Sequence, residues 1–332
     1  GGEYEEFAAR PEGGVVKILV NGEEVAKVEA EVVGGRSVIF RVYGSFFDEW
    51  GRGNAGLANE MEAGEAEPYQ LRALLATDGS YDANEGRIYA GTTSVVQAAW
   101  YRRLGMNVYY AGYGDLTGDT PKPMLAAELP REKSAKVIEM IKRDLENGVE
   151  ILSRDAGLRE ELKEKALALL DKIEISVEGA NKKTEEGRRK LEEVKDAIKG
   201  RIEAFAKLRL GQDGAVCLQG TEGCEHVLTY EHEPYARVVA PLLHYIAENA
   251  PVETLKFLAY LILGDGHVDQ GQVYLALGRF DAKKNELPLD IYDKIALYII
   301  LAAKYGVGVK EVYIGEDEAE IRFDPKYASR MF

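Results

Sequence analysis

The chain lacks the sequence signals of several large enzyme classes. Its 332 residues contain no Gly-x₄-Gly-Lys-Ser/Thr loop, no Gly-x-Ser-x-Gly elbow and no His-Glu-x-x-His motif. Their absence argues against a P-loop NTPase, a serine hydrolase and a zincin. No hydrophobic run reaches the length of a membrane span, and no basic, apolar leader is present, so we expect an intracellular protein that makes no use of a membrane. The opening Gly1-Gly2 indicates a truncated start, and we expect a segment upstream of it.

Cysteine and histidine are scarce, with two and four residues. Cys217, Cys224, His226 and His232 lie within 16 residues and could supply a zinc site, but their spacing differs from the tight Cys-x₂₋₄-Cys of common zinc fingers. A disulfide between the two cysteines, as in some hyperthermophile proteins, is a second interpretation. Unlinked residues in a loop or hairpin are the third. His244, in an apolar stretch, is interpreted as a satisfied core residue.

Positive charge is also in short supply, which bears on nucleic-acid binding. The formal net charge is −15, from 42 basic and 57 acidic side chains. No region is strongly basic: residues 129–208, the most basic, carry 19 basic and 18 acidic side chains. Nucleic acids usually meet a basic face. Such a face would have to be assembled from scattered residues, namely Arg72, Arg87, Arg102, Arg103, Lys122, Arg279, Lys283 and Lys284.

Two nonamers are the clearest positive feature of the chain. Residues 71–79 read Leu-Arg-Ala-Leu-Leu-Ala-Thr-Asp-Gly, and residues 258–266 read Leu-Ala-Tyr-Leu-Ile-Leu-Gly-Asp-Gly. Each is an apolar stretch of helical character that has small residues in its last turn and then ends in Asp-Gly. A carboxylate in an apolar setting is unfavourable unless a cation or hydrogen bonds compensate its charge.

The small residues of the nonamers predict how the two helices meet. Packing backbone against backbone would place Asp78 and Asp265 side by side, and two adjacent carboxylates are usually stabilised by a divalent cation. Gly79 and Gly266 are expected to provide a left-handed exit from each helix. The small residues that allow the close approach are Ala73, Ala76, Thr77, Ala259 and Gly264.

Both nonamers resemble the LAGLIDADG motif of homing endonucleases and intron maturases. The segments after each motif resemble the family as well, because the pattern predicts a strand, a helix and further strands in that order. The resemblance covers roughly residues 67–128 and 236–324, and it extends to LAGLIDADG-like proteins encoded by archaeal repetitive elements. The predicted elements are strands at 86–93, 106–110, 272–277, 309–314 and 318–323, and helices from Ser94 to Gly105 and from about Leu289 to Tyr305.

The resemblance implies an α+β fold of two LAGLIDADG-like αββαββα repeats, packed through paired motif helices in a monomer with internal pseudo-two-fold symmetry. It also implies site-specific cleavage of double-stranded DNA by an enzyme of a mobile element, here of thermophile-like composition. Asp78 and Asp265, together with Gly79 and Gly266, would hold Mg²⁺ or Mn²⁺ as the metal that polarises the phosphate and activates a water.

Further residues are implied by the family's arrangement. A Lys or Gln on or after the sheet strands usually supports the metal centre, and the two sheets would read DNA from the major groove. The candidates for active-site support are Lys122, Gln272, Lys310 and His267. The candidates for DNA binding are Arg87, Tyr89, Thr93, Tyr109, Tyr110, Gln272, Tyr274, Arg279 and Arg322.

Outside the two motif regions, the pattern changes twice. Residues 1–66 contain β-branched runs at 15–20, 25–33 and 37–43 separated by Gly-containing turns, which predicts a β-rich segment. Residues 131–208 have apolar side chains at steps of three and four among dense alternating charges, which predicts a helical, coiled-coil-like insertion. The predicted domains are 1–66, 67–130, 131–208, 209–235 (a loop or hairpin linker) and 236–332.

Two other functions stay open at this point. A catalytically degenerate relative would keep the fold and bind DNA or RNA, as a regulator or an RNA maturase. An oligomeric structural protein would use the helical insertion to associate and would bind no nucleic acid. The acidic charge and the lack of an identifiable active-site lysine favour the degenerate relative over a nuclease.

Overall fold

The chain is a mixed α+β protein. It divides into two compact units, which are described separately. The N-terminal unit comprises residues 1–71 and 78–136, and the C-terminal unit comprises residues 72–77 and 137–332. The computed structural model describes residues 7–12, 15–20, 23–33, 37–43, 66–92, 95–115, 122–210, 216–217, 227–228, 233–269, 272–278, 290–316 and 318–328.

The N-terminal unit opens with a four-stranded antiparallel meander. Its strands follow one another in the sheet in chain order, β1-β2-β3-β4. The structure confirms the three strands that the β-branched runs predict. These strands form because β-branched residues favour a pleated sheet and the glycines between them favour tight turns. The strands are β1 Phe7–Glu12, β2 Val15–Val20, β3 Glu23–Val33 and β4 Ser37–Tyr43.

A second sheet follows in the same unit, with the strand order β5-β6-β8-β7 and antiparallel pairing throughout. Helix α2 packs against β6, β7 and β8. Gly105, just after its end, has a φ of +87°, the left-handed conformation that glycine adopts readily after a helix. The elements are α1 Pro68–Ala76, β5 Ser80–Asp82, β6 Arg87–Thr92, α2 Val95–Arg103, β7 Asn107–Asp115 and β8 Lys122–Glu128.

The C-terminal unit contains most of the helices and a five-stranded sheet of order β13-β14-β16-β15-β9, in which only β9 runs parallel to its neighbour. Three short strands, β10 Arg209–Leu210, β11 Val216–Cys217 and β12 Val227–Leu228, form an antiparallel sheet of their own. Helix α3, Arg131–Arg154, belongs to this unit from residue 137 onward. The other elements are α4 Ala156–Lys172, β9 Glu174–Val177, α5 Glu185–Phe205, α6 Glu233–Ala247, α7 Pro251–Asp265, β13 Gly266–Asp269, β14 Gln272–Gly278, α8 Ile291–Lys304, β15 Val309–Ile314, β16 Glu318–Phe323 and α9 Pro325–Ala328.

Two segments of the chain share one order of elements. From α1 to α3 and from α7 to α9 the order is helix, two strands, helix, two strands, helix. In each segment the fourth strand lies between the second and the third, giving β5-β6-β8-β7 and β13-β14-β16-β15. The strands and helices that the sequence predicts after each nonamer are therefore present.

Helix α8 is the centre of the C-terminal core. It packs against α4, α5 and α6, and one side meets β14. Its sequence is apolar on every side, which is typical of a helix buried all round. Asp290 and Asp293 form a capping box at its start, and Gly306, with a φ of +66°, follows its end.

The charged segment 131–208 is helical, as its periodicity predicts, but it also contains a strand. Helices α4 and α5 pack against each other and against α8, while β9 lies between them in the chain and pairs with β15. Ile198 and Ile202 on α5 and Ala166 on α4 are fully buried. From residue 137 onward, the segment therefore belongs to the C-terminal unit. A coiled coil and the domain boundary at 130/131 stay predictions.

The last turn of α1 and the last turn of α7 meet within the C-terminal unit. A Cβ atom placed on Gly264 would lie 2.5 Å from Thr77 Oγ1 and 2.7 Å from Thr77 Cβ. The Thr77 hydroxyl donates a hydrogen bond to the Ala73 carbonyl oxygen over 2.8 Å, which holds the side chain in place. Thr77, directly after α1, is thus in close contact with Gly264 of α7, and the pairing of the two motif helices stays a prediction.

We predict that Gly264→Ala destabilises the protein by about 1–3 kcal/mol, because the new methyl group overlaps Thr77. Gly200→Ala is the matched control, since Gly200 is also helical and exposed, and no atom outside its own helix lies within 4 Å of the added carbon. That variant should be more stable by about 0.5–1 kcal/mol. Urea unfolding followed by circular dichroism measures both. Equal effects of the two substitutions would contradict the close approach.

Candidate active site at the motif aspartates

Asp78 follows α1 and is half-buried. Two donors reach its Oδ2 atom: the Gln97 amide nitrogen over 2.5 Å and the Tyr101 hydroxyl over 3.4 Å. The Gln97 carbonyl oxygen accepts a hydrogen bond from the Thr92 hydroxyl over 2.6 Å, so its amide nitrogen faces the carboxylate. Burial raises the pKa of Asp78, and these two hydrogen bonds oppose the rise.

Asp265 is the last residue of α7, and its charge acts on two side chains of α8. Burial lowers the pKa of Lys294 to about 8, although the charge of Asp265 opposes this shift. Burial and the same charge raise the pKa of Tyr298 above its ordinary value. Lys294 is 8% exposed, and its Nζ atom lies 3.5 Å from the Gly278 carbonyl oxygen. An ammonium group is therefore held inside the protein near the second motif carboxylate.

The side chains near the two aspartates occupy matching positions. Gln97 and Tyr101 lie four residues apart on α2, and Lys294 and Tyr298 lie four residues apart on α8, so each pair shares one helix face. The sequence interpretation missed all four. The signal was available, because one offset of 197 residues superimposes Gln97 on Lys294 and Tyr101 on Tyr298.

The glycine after the second motif plays a different part from the one predicted. Gly266 has φ −124° and ψ −173°, which is extended backbone, so the expected left-handed exit is wrong here. A Cβ atom at Gly266 would lie 2.2 Å from the Tyr274 carbonyl oxygen and 2.8 Å from Ile262 Cα. Glycine is required because α7 runs directly into β13 against β14. Gly79, for which the same left-handed exit is predicted, is buried and does not have a positive φ, so that prediction is wrong as well.

Charged side chains are buried at two places among the described residues. Asp293 and Lys294 lie in the first turn of α8, and Arg72 and Asp144 form the second group. Burial raises the pKa of Asp293 to about 7, with a contribution from the neighbouring charge of Asp290. Arg201 on α5 pairs with both carboxylates, over 2.7 Å to Asp290 and 3.3 Å to Asp293. This pairing fixes the start of α8 immediately before Lys294.

Arg72 is the centre of a polar network in the C-terminal unit. Its Nε and Nη2 atoms donate to the two Asp144 carboxylate oxygens over 2.7 and 2.9 Å, and Nη1 donates to the Tyr245 hydroxyl over 3.2 Å. Arg72 is only 6% exposed. The prediction that it contributes to a basic surface patch is therefore wrong, because burial and the Asp144 pair remove it from solvent.

The residues predicted to support the active site are dispersed over the sheets. His267 is exposed on β13 and stacks on Tyr274, with ring centroids 4.5 Å apart. Gln272 begins β14, and its buried Oε1 atom has no hydrogen-bond partner among the described residues. Lys310 is exposed on β15, where the pairing with β16 is irregular. Lys122 begins β8, and its side chain lies outside the described residues.

Some of the predicted DNA-binding residues share the face of each sheet where side chains are less buried. A row across the C-terminal sheet places Tyr274 next to Arg322, and Arg322 next to Glu311. In the N-terminal unit, Tyr89 is registered between Ser80 and Glu128. Tyr109 and Tyr110 lie in β7 with side chains outside the described residues, and Thr93 and Arg279 lie entirely outside them.

The arginines on these faces are paired with glutamates. Arg87 lies 3.3 Å from Glu128, and Arg322 lies 3.6 Å from Glu311. Burial raises the pKa of Glu320; Glu318 and Glu311 add to the rise, and His267 and Arg322 oppose it. The two described arginines of these faces therefore carry positive charge that is already paired, which weakens their attraction for phosphates.

Most of the residues proposed for a zinc site or a disulfide lie outside the described residues. Cys217 lies in β11, whereas Cys224, His226 and His232 lie outside the described residues. His244 lies on α6, half-buried, with Nδ1 3.4 Å from Asp144 Oδ1. Within the described ranges, no group of three or more His, Cys, Asp or Glu side chains is placed to hold a metal ion.

Comparison with known proteins identifies no relative: no protein-family model, no curated protein and no solved structure matches the chain. Among the helices of the described ranges, none has both the length and the apolar character needed to cross a bilayer. The local geometry of the motif aspartates therefore carries the functional argument.

Proposed function

We propose that the chain is a LAGLIDADG-like endonuclease that cleaves double-stranded DNA through Asp78 and Asp265, with Mg²⁺ or Mn²⁺ as cofactor. In this proposal the two αββαββα segments are LAGLIDADG-like repeats. The observation that carries it is the matched setting of the aspartates. Each ends a motif helix in the same order of elements, and each is approached by a polar residue and a tyrosine four positions apart.

The residues at Asp78 suit a divalent cation. The hydrogen bonds from Gln97 and Tyr101 both end on Oδ2, and none from the described residues reaches Oδ1, so this oxygen can serve as a ligand. Magnesium sites in nucleic-acid enzymes commonly use one or two carboxylates and complete the coordination with phosphate oxygens and water. When bound, the cation would polarise the scissile phosphate and lower the pKa of an attacking water.

The remaining residues bind and orient. Gln97 and Tyr101 hold Asp78 in one rotamer, and Lys294 is a buried positive charge on which the charge of Asp265 acts. Positive charge fixed in a site of low polarity stabilises the extra negative charge of a pentavalent phosphorane without reorganisation. In this proposal Tyr89 and Tyr274, on the less buried faces of the two sheets, would contact bases or sugars.

A second function, nucleic-acid binding without cleavage, is favoured by the charge of the sheet faces. The pairs Arg87–Glu128 and Arg322–Glu311 neutralise the two described arginines of those faces. A regulator or an RNA maturase of LAGLIDADG-like fold would need Asp78 and Asp265 only to pack the helix ends.

Asparagine at both motif positions distinguishes the two functions. A duplex DNA pool is bound in Ca²⁺, the retained fraction is recovered from a gel shift, and Mg²⁺ is then added. For an endonuclease, Asp78→Asn/Asp265→Asn keeps the gel shift and lowers cleavage by at least about a hundredfold. Asp196→Asn, at an exposed position on α5, is the control and should cleave like the wild type. Binding without cleavage by the wild type would establish the second function.

A further inference from the structure

Three side chains of the N-terminal unit form a hydrogen-bonded chain that leads from its second sheet to the first motif aspartate. The Thr92 hydroxyl donates to the Gln97 carbonyl oxygen over 2.6 Å, and the Gln97 amide nitrogen donates to Asp78 Oδ2 over 2.5 Å. Thr92 is the last residue of β6 and is 7% exposed, and Gln97 lies in the first turn of α2. The chain of bonds therefore joins β6, α2 and the residue that ends the first motif helix region.

The two ends of the Gln97 amide require partners of opposite kind. A side-chain amide donates through its nitrogen and accepts through its oxygen, whereas an ionised carboxylate can only accept. The nitrogen must therefore face Asp78, because the amide oxygen would repel the carboxylate. The oxygen at the other end then requires a donor, and the Thr92 hydroxyl supplies it. Thr92 thus stabilises the one orientation of Gln97 that suits Asp78.

Gln97 is the closer of the two donors that reach the carboxylate. The Tyr101 hydroxyl lies 3.4 Å from Asp78 Oδ2, against 2.5 Å for the Gln97 nitrogen. A hydrogen bond weakens as its length increases, so the orientation of Asp78 depends mainly on Gln97. Because Thr92 is shielded from water, its bond to Gln97 does not compete with a bond to solvent.

We infer that Thr92 is a positioning residue, which acts through Gln97 to fix the Asp78 carboxylate for DNA cleavage. This inference rests on the proposed function, which gives Asp78 its part in the reaction. A small misplacement of a reacting group lowers the rate of the chemical step, although no contact with the substrate is lost. Removal of the Thr92 hydroxyl should therefore slow cleavage and leave DNA binding unchanged.

Single-turnover cleavage of the DNA pool separates these two effects. Thr92→Val keeps the shape of the side chain and should lower the rate constant at saturating protein by at least about tenfold, while the half-saturating protein concentration stays within about twofold of the wild type. Thr92→Ser restores the hydroxyl and should recover most of the rate.

Ser134→Ala is the matched control, since it also removes a buried hydroxyl that is bonded to β6. Ser134 is fully buried, accepts a hydrogen bond from the Ile88 amide over 3.0 Å and donates one to the Leu129 carbonyl oxygen over 3.0 Å. Its loss costs stability and does not break the chain to Asp78. The cleavage rate constant of the folded variant should therefore stay within about twofold of the wild type.

Exchange of the Gln97 side-chain amide protons with water tests the chain without any DNA. In protein labelled with ¹⁵N at glutamine, the Gln97 signal is identified by its absence from Gln97→Met. Its exchange should accelerate by at least about tenfold in Thr92→Val, and should stay within about twofold of the wild type in Ser134→Ala.

Two results would overturn the inference: unchanged exchange of the Gln97 amide in Thr92→Val, or equal losses of cleavage rate in Thr92→Val and Ser134→Ala. A wild type that binds DNA and does not cut it would contradict the proposed function alone. The exchange experiment would then still decide whether Thr92 fixes Gln97 against Asp78.

Discussion

Replacing Arg72 with methionine lowers the free energy of unfolding by about 3–5 kcal/mol, because it leaves the Asp144 carboxylate buried without its partner. The two side chains are 7% and 5% exposed, and two charge-assisted hydrogen bonds of 2.7 and 2.9 Å join them. Although burial acts against it, Asp144 raises the pKa of Arg72 above its ordinary value, so the guanidinium stays charged.

A matched control separates this pair from surface ion pairs. Arg131 also pairs with a carboxylate, Glu85, over 3.7 Å, but the two side chains are 66% and 57% exposed. Arg131→Met should therefore change stability by less than about 1 kcal/mol. In the double variant Arg72→Met/Asp144→Leu most of the loss should be recovered, because no charge is then buried. Urea unfolding of the three variants checks this, and a small effect of Arg72→Met would contradict the network.

The second large effect is a loss of stability in acid that originates at His244. Burial, together with the nearby charge of Arg72, lowers the pKa of this imidazole to about 4. The unfolded chain then binds more protons than the folded protein between pH 4 and the ordinary value of about 6.5. Stability is therefore fully present above pH 6.5 and falls as the pH drops toward 4, by up to about 3 kcal/mol.

Comparison of variants isolates this effect from the titration of carboxylates. His244→Gln should flatten the pH dependence of the free energy of unfolding between pH 6.5 and 4. His267→Gln is the control, because His267 is exposed on β13 and should leave the wild-type dependence intact. Two superimposable curves for the wild type and His244→Gln would show that His244 is not held neutral by its surroundings.

The sequence predicts much of the local structure near the second motif. The bounds 309–314 and 318–323 match β15 and β16, and the predicted helix 289–305 contains α8 with two extra residues at its start and one at its end. These elements have strong periodic patterns and clear glycine or aspartate signals at their ends. Their identity is decided locally, so a single sequence suffices.

Other features depend on contacts between distant parts of the chain. Residues 174–177 form β9 because they pair with β15, more than a hundred positions away, and nothing in a four-residue run reveals such a partner. Arginine is usually a surface residue, and Arg72 is buried only because it forms an ion pair with Asp144. Periodicity reports which side of a helix is apolar, and it does not report which charged residues are buried together.

The candidate site shows the same limit. Asp78 and Asp265 were selected from the nonamers, whereas the residues around them came only from the structure. Asp293 and Lys294 stand at the start of an otherwise mainly apolar helix, and this is a signal, since charges among buried positions require compensation. Aligning the sequences of α2 and α8 with an offset of 197 residues pairs Lys294 with Gln97.

The central claim is that the chain cleaves double-stranded DNA at defined sites through Asp78 and Asp265. The most direct test incubates the gene's own flanking DNA and a sheared genomic library with protein and Mg²⁺, and then sequences the ends of the breaks. The account predicts breaks enriched at one long site and absent from the Asp78→Asn/Asp265→Asn variant. No enriched breaks, or breaks that persist in the double variant, would contradict it.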